Sequence, residues 1–184
     1  MNKVIISVLG QDRPGILAAV TKILLERDGN VENVSQTILQ NQFVGIFIVS
    51  VPDHIKTDAL KDELNLSVKH LDLDIHVKQL VYDETYYPPV KSEPFIITTK
   101  GLDRKGLVAG ITATVAYYGV NVTNLQAIFK GGDNPGDNIM IYEVDIPVDI
   151  DQQELEDALR TQAQSLGLTI SIWHRNIFKA INRI

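Results

Sequence analysis

The sequence predicts an α+β protein that makes the same fold twice: two βαββαβ units, each an antiparallel sheet with its helices on one face. Three observations carry that prediction. The chain holds a long internal repeat, alternating apolar patterns of strand period, and apolar stripes of helical spacing that fall between them.

The repeat sets the frame. Moving the chain by 91 residues places Gly10 on Gly101, Asp12 on Asp103, Arg13 on Arg104 and Gly15 on Gly106. The same shift places Ile5 and Ile6 on Ile96 and Ile97, Ala18 on Ala109 and Thr21 on Thr112. It continues without a gap to Asn30, Val31 and Asn33 on Asn121, Val122 and Asn124. Identities this dense at one offset mark a tandem duplication, and two domain-sized copies do not make a solenoid. The expected layout is a first domain over residues 1–81, a linker over 82–93, a second domain over 94–175 and a tail over 176–184.

Each copy follows the same order of elements. A nearly continuous apolar run, Val4–Leu9 in the first copy, predicts a central strand. Beyond the second loop glycine, Ile16, Val20, Ile23 and Leu24 recur at helical spacing, as do Leu107, Ile111 and Val115. A strand begins near Asn30 and Asn121, and another covers Phe43–Val51 and Ile139–Ile146. In the latter, Met140, Tyr142, Val144 and Ile146 alternate with Ile141, Glu143 and Asp145, which puts the acids on a partly wet face. A second helix carries Leu60, Leu64, Val68 and Leu71, or Leu155, Ala158, Leu159 and Leu166, and Asp151 with Glu154 resembles a capping box. The last strand alternates Leu168, Ile170 and Ile172 with Thr169, Ser171 and Trp173, and His76 takes an exposed position in its counterpart. This order predicts a four-stranded antiparallel sheet with two helices on one face, the ferredoxin-like arrangement.

Between the copies, Pro88 and Pro89 disfavour helix for the residues before them, and Tyr82, Tyr86 and Tyr87 are expected to pack the linker onto a domain. The glycine-rich segment 130–137 reads as a long hairpin loop. The tail "RNIFKAINRI" sets Arg175, Lys179 and Arg183 on one face and Ile177, Ile181 and Ile184 on another. That predicts a short basic amphipathic helix that packs on its own domain or on a twin subunit.

Composition narrows the function. The 184 residues are 45% hydrophobic and 22% charged, with a formal net charge of −6 and no cysteine. An acidic chain does not draw in nucleic acid by its overall field. Without cysteine there are no disulfides, thiolate zinc sites or cysteine nucleophile, which fits a reducing cytoplasm. The N-terminal apolar run is too short for a membrane span and lacks a signal-peptide layout. The histidines, His54, His70, His76 and His174, show no paired metal-ligand spacing, so no metal or other cofactor is expected.

The repeated loop, Gly-x-Asp-Arg-x-Gly, joins a strand to a helix. It is not a P-loop or a dinucleotide fingerprint, and the chain has no Gly-x-Ser-x-Gly elbow. Two readings stand. Asp12 and Asp103 suit a helix N-cap, which needs no ligand; taken alone, the loop favours this. Alternatively, the helix N-terminus receives a carboxylate and the aspartate an ammonium, the pair of groups that a free α-amino acid presents.

The segments "DRPGIL" and "DRKGLV", followed by "GNVENVSQ" and "VNVTNLQ", resemble the ACT domain, a small regulatory ligand-binding fold, once in each half. Two ACT-like domains and little else resemble the glycine cleavage system transcriptional repressor family. The resemblance implies domains that pair side by side, within the chain or in a homo-oligomer, and bind an amino acid at the seam. The ligand loop then comes from one domain and the start of the second strand from its neighbour. Here these are Gly10, Gln11, Asp12, Arg13, Gly15 and Ile16 with Leu102 and its neighbours Gly101, Asp103, Arg104, Gly106 and Leu107, facing Asn30, Val31, Asn121 and Val122. Pro14 is replaced by Lys105, so the two sites need not be equivalent. The expected function is a non-enzymatic regulator that responds to a small amino acid, glycine or serine, and acts through a transcription factor without direct nucleic-acid contact. The alternative is a regulatory subunit of an amino-acid biosynthetic enzyme.

Overall fold

The computed structural model describes residues 1–80, 91–128 and 138–177. The tyrosine packing expected in the linker, the hairpin loop at 130–137 and most of the amphipathic tail lie outside these. The chain divides into two compact units, Met1–Tyr86 and Tyr87–Ile184.

The first unit runs β1 (Asn2–Gln11), α1 (Ile16–Glu26), β2 (Asn30–Leu39), β3 (Gln42–Val51), α2 (Thr57–Ser67) and β4 (Leu73–Gln79). The second runs β5 (Ser92–Gly101), α3 (Leu107–Tyr117), β6 (Asn121–Ile128), β7 (Asn138–Pro147), α4 (Gln152–Ser165) and β8 (Leu168–His174). The sheets have the orders β2-β3-β1-β4 and β6-β7-β5-β8 with every neighbouring pair antiparallel, the βαββαβ arrangement expected.

Alternation decides which face is buried. Val4, Ile6 and Val8 of β1 and Phe47, Val49 and Val51 of β3 meet Ile16, Val20, Ile23 and Leu24 of α1 and Leu60 and Leu64 of α2. The second core repeats this with Phe95, Ile97, Met140, Tyr142 and Val144 against Leu107, Ile111, Val115, Leu155 and Leu159. The apolar run of β1 is therefore central but not buried on both sides: Leu9 and, across the sheet on β3, Ile46 are 46% and 45% exposed on the face without helices. Glu143 and Asp145 are half-buried, the partly wet face expected of β7.

Both units end their first helix alike. After α1 the chain turns through Asp28 at φ 53°, and the Gly29 amide donates to the Leu24 carbonyl at 2.8 Å; after α3 Gly119 sits at φ 66°, and Val120 donates to Val115 at 3.1 Å. This is a Schellman closure, which requires a left-handed residue. The second helices differ from expectation at their ends. α2 stops at Ser67, and Leu71 reaches the core from a short 3-10 turn, Lys69–Leu71; α4 stops at Ser165, with Leu166 as its C-cap. Asp151 caps α4 as expected, accepting from the amides of Gln153 and Glu154 at 2.9 and 3.1 Å. The box stays half-made, because Tyr118 donates its hydroxyl to Glu154 at 3.2 Å.

Candidate functional site

The two glycines of the repeated motif have separate backbone tasks. Gly10 and Gly101 end the central strands, and there the start of the last strand comes very close. A Cβ on Gly101 would stand 2.9 Å from the Gly167 carbonyl oxygen, and one on Gly10 would stand 3.0 Å from that of Asp72. Gly15 and Gly106 are the N-caps of α1 and α3, in left-handed conformation at φ 98° and 90°, with open space around them.

The capping expectation for Asp12 and Asp103 is not met. The N-cap positions are glycine, and no side chain bonds the free amides of either first turn. The left-handed glycine turns the chain between the aspartate and the helix, so the carboxylate does not reach those amides. Neither first turn holds an acidic residue, whereas α2 has Asp58 and α4 has Asp151 and Glu154. Among the described residues the first turns of α1 and α3 thus carry neither a side-chain cap nor an acidic residue. Asp12 and Asp103 are exposed. Asp12 is held in place by its backbone, whose amide donates to the Asn41 carbonyl at 2.8 Å.

The arginines part company. Arg104 donates to the Ser165 carbonyl at 3.2 Å, which closes off a carbonyl at the C-terminus of α4. Arg13 is half-buried and makes no side-chain hydrogen bond among the described residues. An open depression of about 330 Å³ lies at Asp12, Arg13, Gly15 and Ile16, where Gln36 of β2 and Phe43 of β3 also line it. The counterpart, about 550 Å³, follows Asp103, Arg104, Gly106 and Leu107. Gln11 and Leu102 are exposed beside the two loops. Gln36 was not legible as a lining residue, because only strand pairing, Gln36 with Gly45, brings it there.

Within one unit the structure does not bring the loop to the start of the second strand. Asn30 pairs with Ser50, which pairs with Lys3, while Gln11 lies in line with Gln42 and Leu39. Eight strand steps, roughly 26 Å, separate the two ends. Asn121 pairs with Asp145, opposite Pro94, and so stands seven strand steps, roughly 23 Å, from Gly101. Asn30 and Asn121 are exposed, and Val31 and Val122 half-buried. Beyond each pair the register slips at the same point, leaving Glu32 and Thr123 in matching β-bulges. Glu32 accepts from Lys3 Nζ at 2.6 Å and from Ser50 Oγ, and Lys3 first, then Ser50, holds its carboxyl below the ordinary value near 4.5.

Among the described residues no group of three His, Cys, Asp or Glu could hold a metal ion, and no helix is long and apolar enough to cross a membrane. Two ferredoxin-like units, each with a glycine-capped helix N-terminus beside an aspartate, place the chain among small α+β modules. The ACT domain family matches residues 2–78 and 93–172, and the chain belongs to that family, carrying its domain twice. ACT domains are regulatory, amino-acid-binding modules. A UPF0237 protein of Methanocaldococcus jannaschii is 39% identical over 80 residues, 42% of this chain and 88% of that one. One of Methanococcus maripaludis is 37% identical over 87 residues, 47% and 93% of the two chains. Among solved structures, an unknown protein from Galdieria sulphuraria superposes with a TM-score of 0.76 at 22% identity, covering 94% of this chain and 98% of that one. A chain provisionally named a glycine cleavage system transcriptional repressor superposes at 0.68 and 16% identity, covering 93% and 95%. These two share the two-unit fold.

Proposed function

We propose that the protein is a non-catalytic regulator that senses a free amino acid at the loops Gly10–Ile16 and Gly101–Leu107. One observation carries the reading. In both copies the glycines are explained by the backbone, yet among the described residues the carboxylate of the aspartate between them neither caps a helix nor has a hydrogen-bond partner, while the adjacent first helical turn holds no acidic residue. A ligand that offers a carboxylate to the amides after Gly15 or Gly106, and an ammonium to Asp12 or Asp103, answers both. The gap within a unit, roughly 23–26 Å, means that Asn30, Val31, Asn121 and Val122 join a site only from a neighbouring domain, within the chain or in a homo-oligomer. The open depressions, about 330 and 550 Å³, leave ample room for a small amino acid such as glycine or serine. The ligand then favours one arrangement of domains, which a protein partner reads.

The provisional name of the solved neighbour, a glycine cleavage system transcriptional repressor, is in line with a role in transcriptional control of glycine cleavage, which this chain, without a recognisable DNA-binding motif, would exert through a transcription factor. The second reading, a detached regulatory subunit of a biosynthetic enzyme, rests on the same regulatory family. Co-purification separates the two by the partner recovered. Binding itself is tested by calorimetry with the amino acid that most raises the melting temperature. Asp12→Ala and Asp103→Ala remove a charge-assisted hydrogen bond worth roughly 1.5–3 kcal/mol, ten- to hundredfold in affinity. Wild-type binding by both variants overturns the proposal.

A further inference from the structure

The two sheets differ on the face without helices. In unit 1, Ile5 and Leu9 of β1 and Val44, Ile46 and Ile48 of β3 form an aliphatic block there, each alternating with buried residues. Leu9 and Ile46 are nearly half exposed, and the other three are half-buried. β2 extends the block with Asn33, Ser35 and Thr37, which carry no charge. Charge is kept to the margins. Lys3 and Glu32 pair with each other at 2.6 Å at one strand end, and Asp74 and Lys78 stand on the edge strand β4.

The same positions in unit 2 show how this face looks when it meets water. Leu9 becomes Lys100, Ile48 becomes Glu143 and Ser50 becomes Asp145. Glu143 accepts from Asn124 Nδ2 at 3.0 Å and pairs with Arg175 at 3.8 Å. Ile96, in register with Glu143 and Trp173, is 5% exposed, against the half-buried Ile5 of unit 1. Strand order is the same in both units, so the fold itself does not ask for an aliphatic face. An uncharged apolar patch of this extent marks an interaction surface.

We infer that this face of unit 1 is a homodimer interface, stacked on the same face of a second copy. Polarity selects that occupant. The face sets aliphatic against aliphatic when it meets itself, whereas a face like that of unit 2 would bury Lys100, Glu143 and Asp145 at a cost. Symmetry adds to the match. An isologous pair has a two-fold axis, and one that runs across the strands at Ser7 and Ile46 sets Ile46 on Ile46, Leu9 on Ile5 and Val44 on Ile48. The same axis sets Asp74 on Lys78 in both directions, because these two pair with Leu9 and Ile5, on either side of Ser7. His76 meets its own copy, and a neutral imidazole both donates and accepts. Four strands span about 19 Å and run for about 30 Å, so two stacked faces bury roughly 1,100 Å². A specific interface needs about 1,000 Å². Stacking of this kind leaves the edge strands and the loops uncovered, so the inference is independent of the amino-acid reading.

The test is sedimentation equilibrium on the full chain. A reversible assembly is expected. Ile46→Glu sets like charges against each other across the axis, and it should halve the mass of the assembly or raise its dissociation constant at least about tenfold. Ile141→Glu, at the matching position of unit 2, should leave the assembly unchanged. If circular dichroism shows that Ile46→Glu does not fold, Ile48→Glu takes its place, since unit 2 carries that charge as Glu143. At low ionic strength Asp74→Lys should weaken the dimer, and Asp74→Lys combined with Lys78→Asp should restore it. A combined variant no tighter than Asp74→Lys overturns the two-fold arrangement. A monomeric wild type overturns the inference, whether another protein or another part of the chain covers the face. Assembly that survives Ile46→Glu and Ile48→Glu, or that Ile141→Glu disrupts equally, overturns it as well.

Discussion

The two glycines of each loop should fail for different reasons when replaced, and unit 2 allows the difference to be read. Gly106→Ala meets nothing within 4 Å, so its whole cost is that of holding an L-residue at φ 90°. That is about 1–2 kcal/mol. Gly101→Ala has no such strain, but its Cβ would lie 2.7 Å from Leu168 Cδ2 and 2.9 Å from the Gly167 carbonyl oxygen. The leucine can rotate, while the carbonyl belongs to a turn set by Gly167 at φ 63°. Overpacking of this kind costs roughly 1–3 kcal/mol. The two ranges overlap, so asparagine separates the mechanisms: it tolerates left-handed backbone but is larger than alanine. Gly106→Asn should recover part of the loss seen in Gly106→Ala, and Gly101→Asn should be worse than Gly101→Ala. The chain has one tryptophan, Trp173, on β8 of the same unit, so its fluorescence in urea follows this unit directly. Gly106→Ala within 0.5 kcal/mol of wild type (an approximate margin set by ordinary surface substitutions), or Gly106→Asn no better than Gly106→Ala, would refute the reasoning.

Further outcomes follow from the same comparison of copies. Asp72 sits at φ 53° where unit 2 has Gly167, so Asp72→Gly should stabilise unit 1 by about 1 kcal/mol, read from its melting temperature. Arg104→Ala removes the bond to the Ser165 carbonyl and should lower the unfolding free energy of unit 2, read from urea titration, by about 0.5–1 kcal/mol, whereas Arg13→Ala, with no side-chain bond to lose among the described residues, should change stability less. Arg27, bonded to Glu63, holds that carboxyl below its ordinary value near 4.5. A depressed carboxyl stabilises the fold above the unfolded value, and that contribution is lost as pH falls through the folded value. Unfolding followed from pH 6 downward (an approximate upper limit) should therefore show a loss of stability below about pH 4.5 that Glu63→Gln lessens.

The fold was legible because its signals are local and repeated. Val4, Ile6 and Val8 alternate, Ile16, Val20, Ile23 and Leu24 recur at helical spacing, and the 91-residue offset shows each pattern twice. What stayed hidden depends on backbone turns and pairing. Val68 and Leu71 keep a three-residue spacing that a helix and a 3-10 turn satisfy alike, so the end of α2 at Ser67 could not be placed. Asp12 looked like a cap because aspartate before a helix usually is one; the left-handed Gly15 that separates them is a property of φ, not of residue order. Asn138 was overlooked because it borders a polar, glycine-rich segment, and only its pairing with Gly101 reveals that it belongs to the buried face. Gln36 entered the site by pairing as well.

What duplication kept and what it changed divide along a physical line. Kept are the positions that set the path of the chain: close approach at Gly10 and Gly101, left-handed caps at Gly15 and Gly106, left-handed turns at residues 28 and 119 and at 72 and 167, and bulges at Glu32 and Thr123. Two of those turns use aspartate in one copy and glycine in the other, so the conformation rather than the residue is what both copies share. Changed are the side chains beneath the loop, where Val8, Phe43, Gly45 and Phe47 give way to Thr99, Asn138, Met140 and Tyr142. Random drift in a core tends to trade one apolar side chain for another of similar volume, because an unpaired polar group there is costly. Three of these four exchanges instead bring in an oxygen or nitrogen. The backbone path of the loop is thus held constant, while the side chains opposite the strand that leads into it differ between the copies.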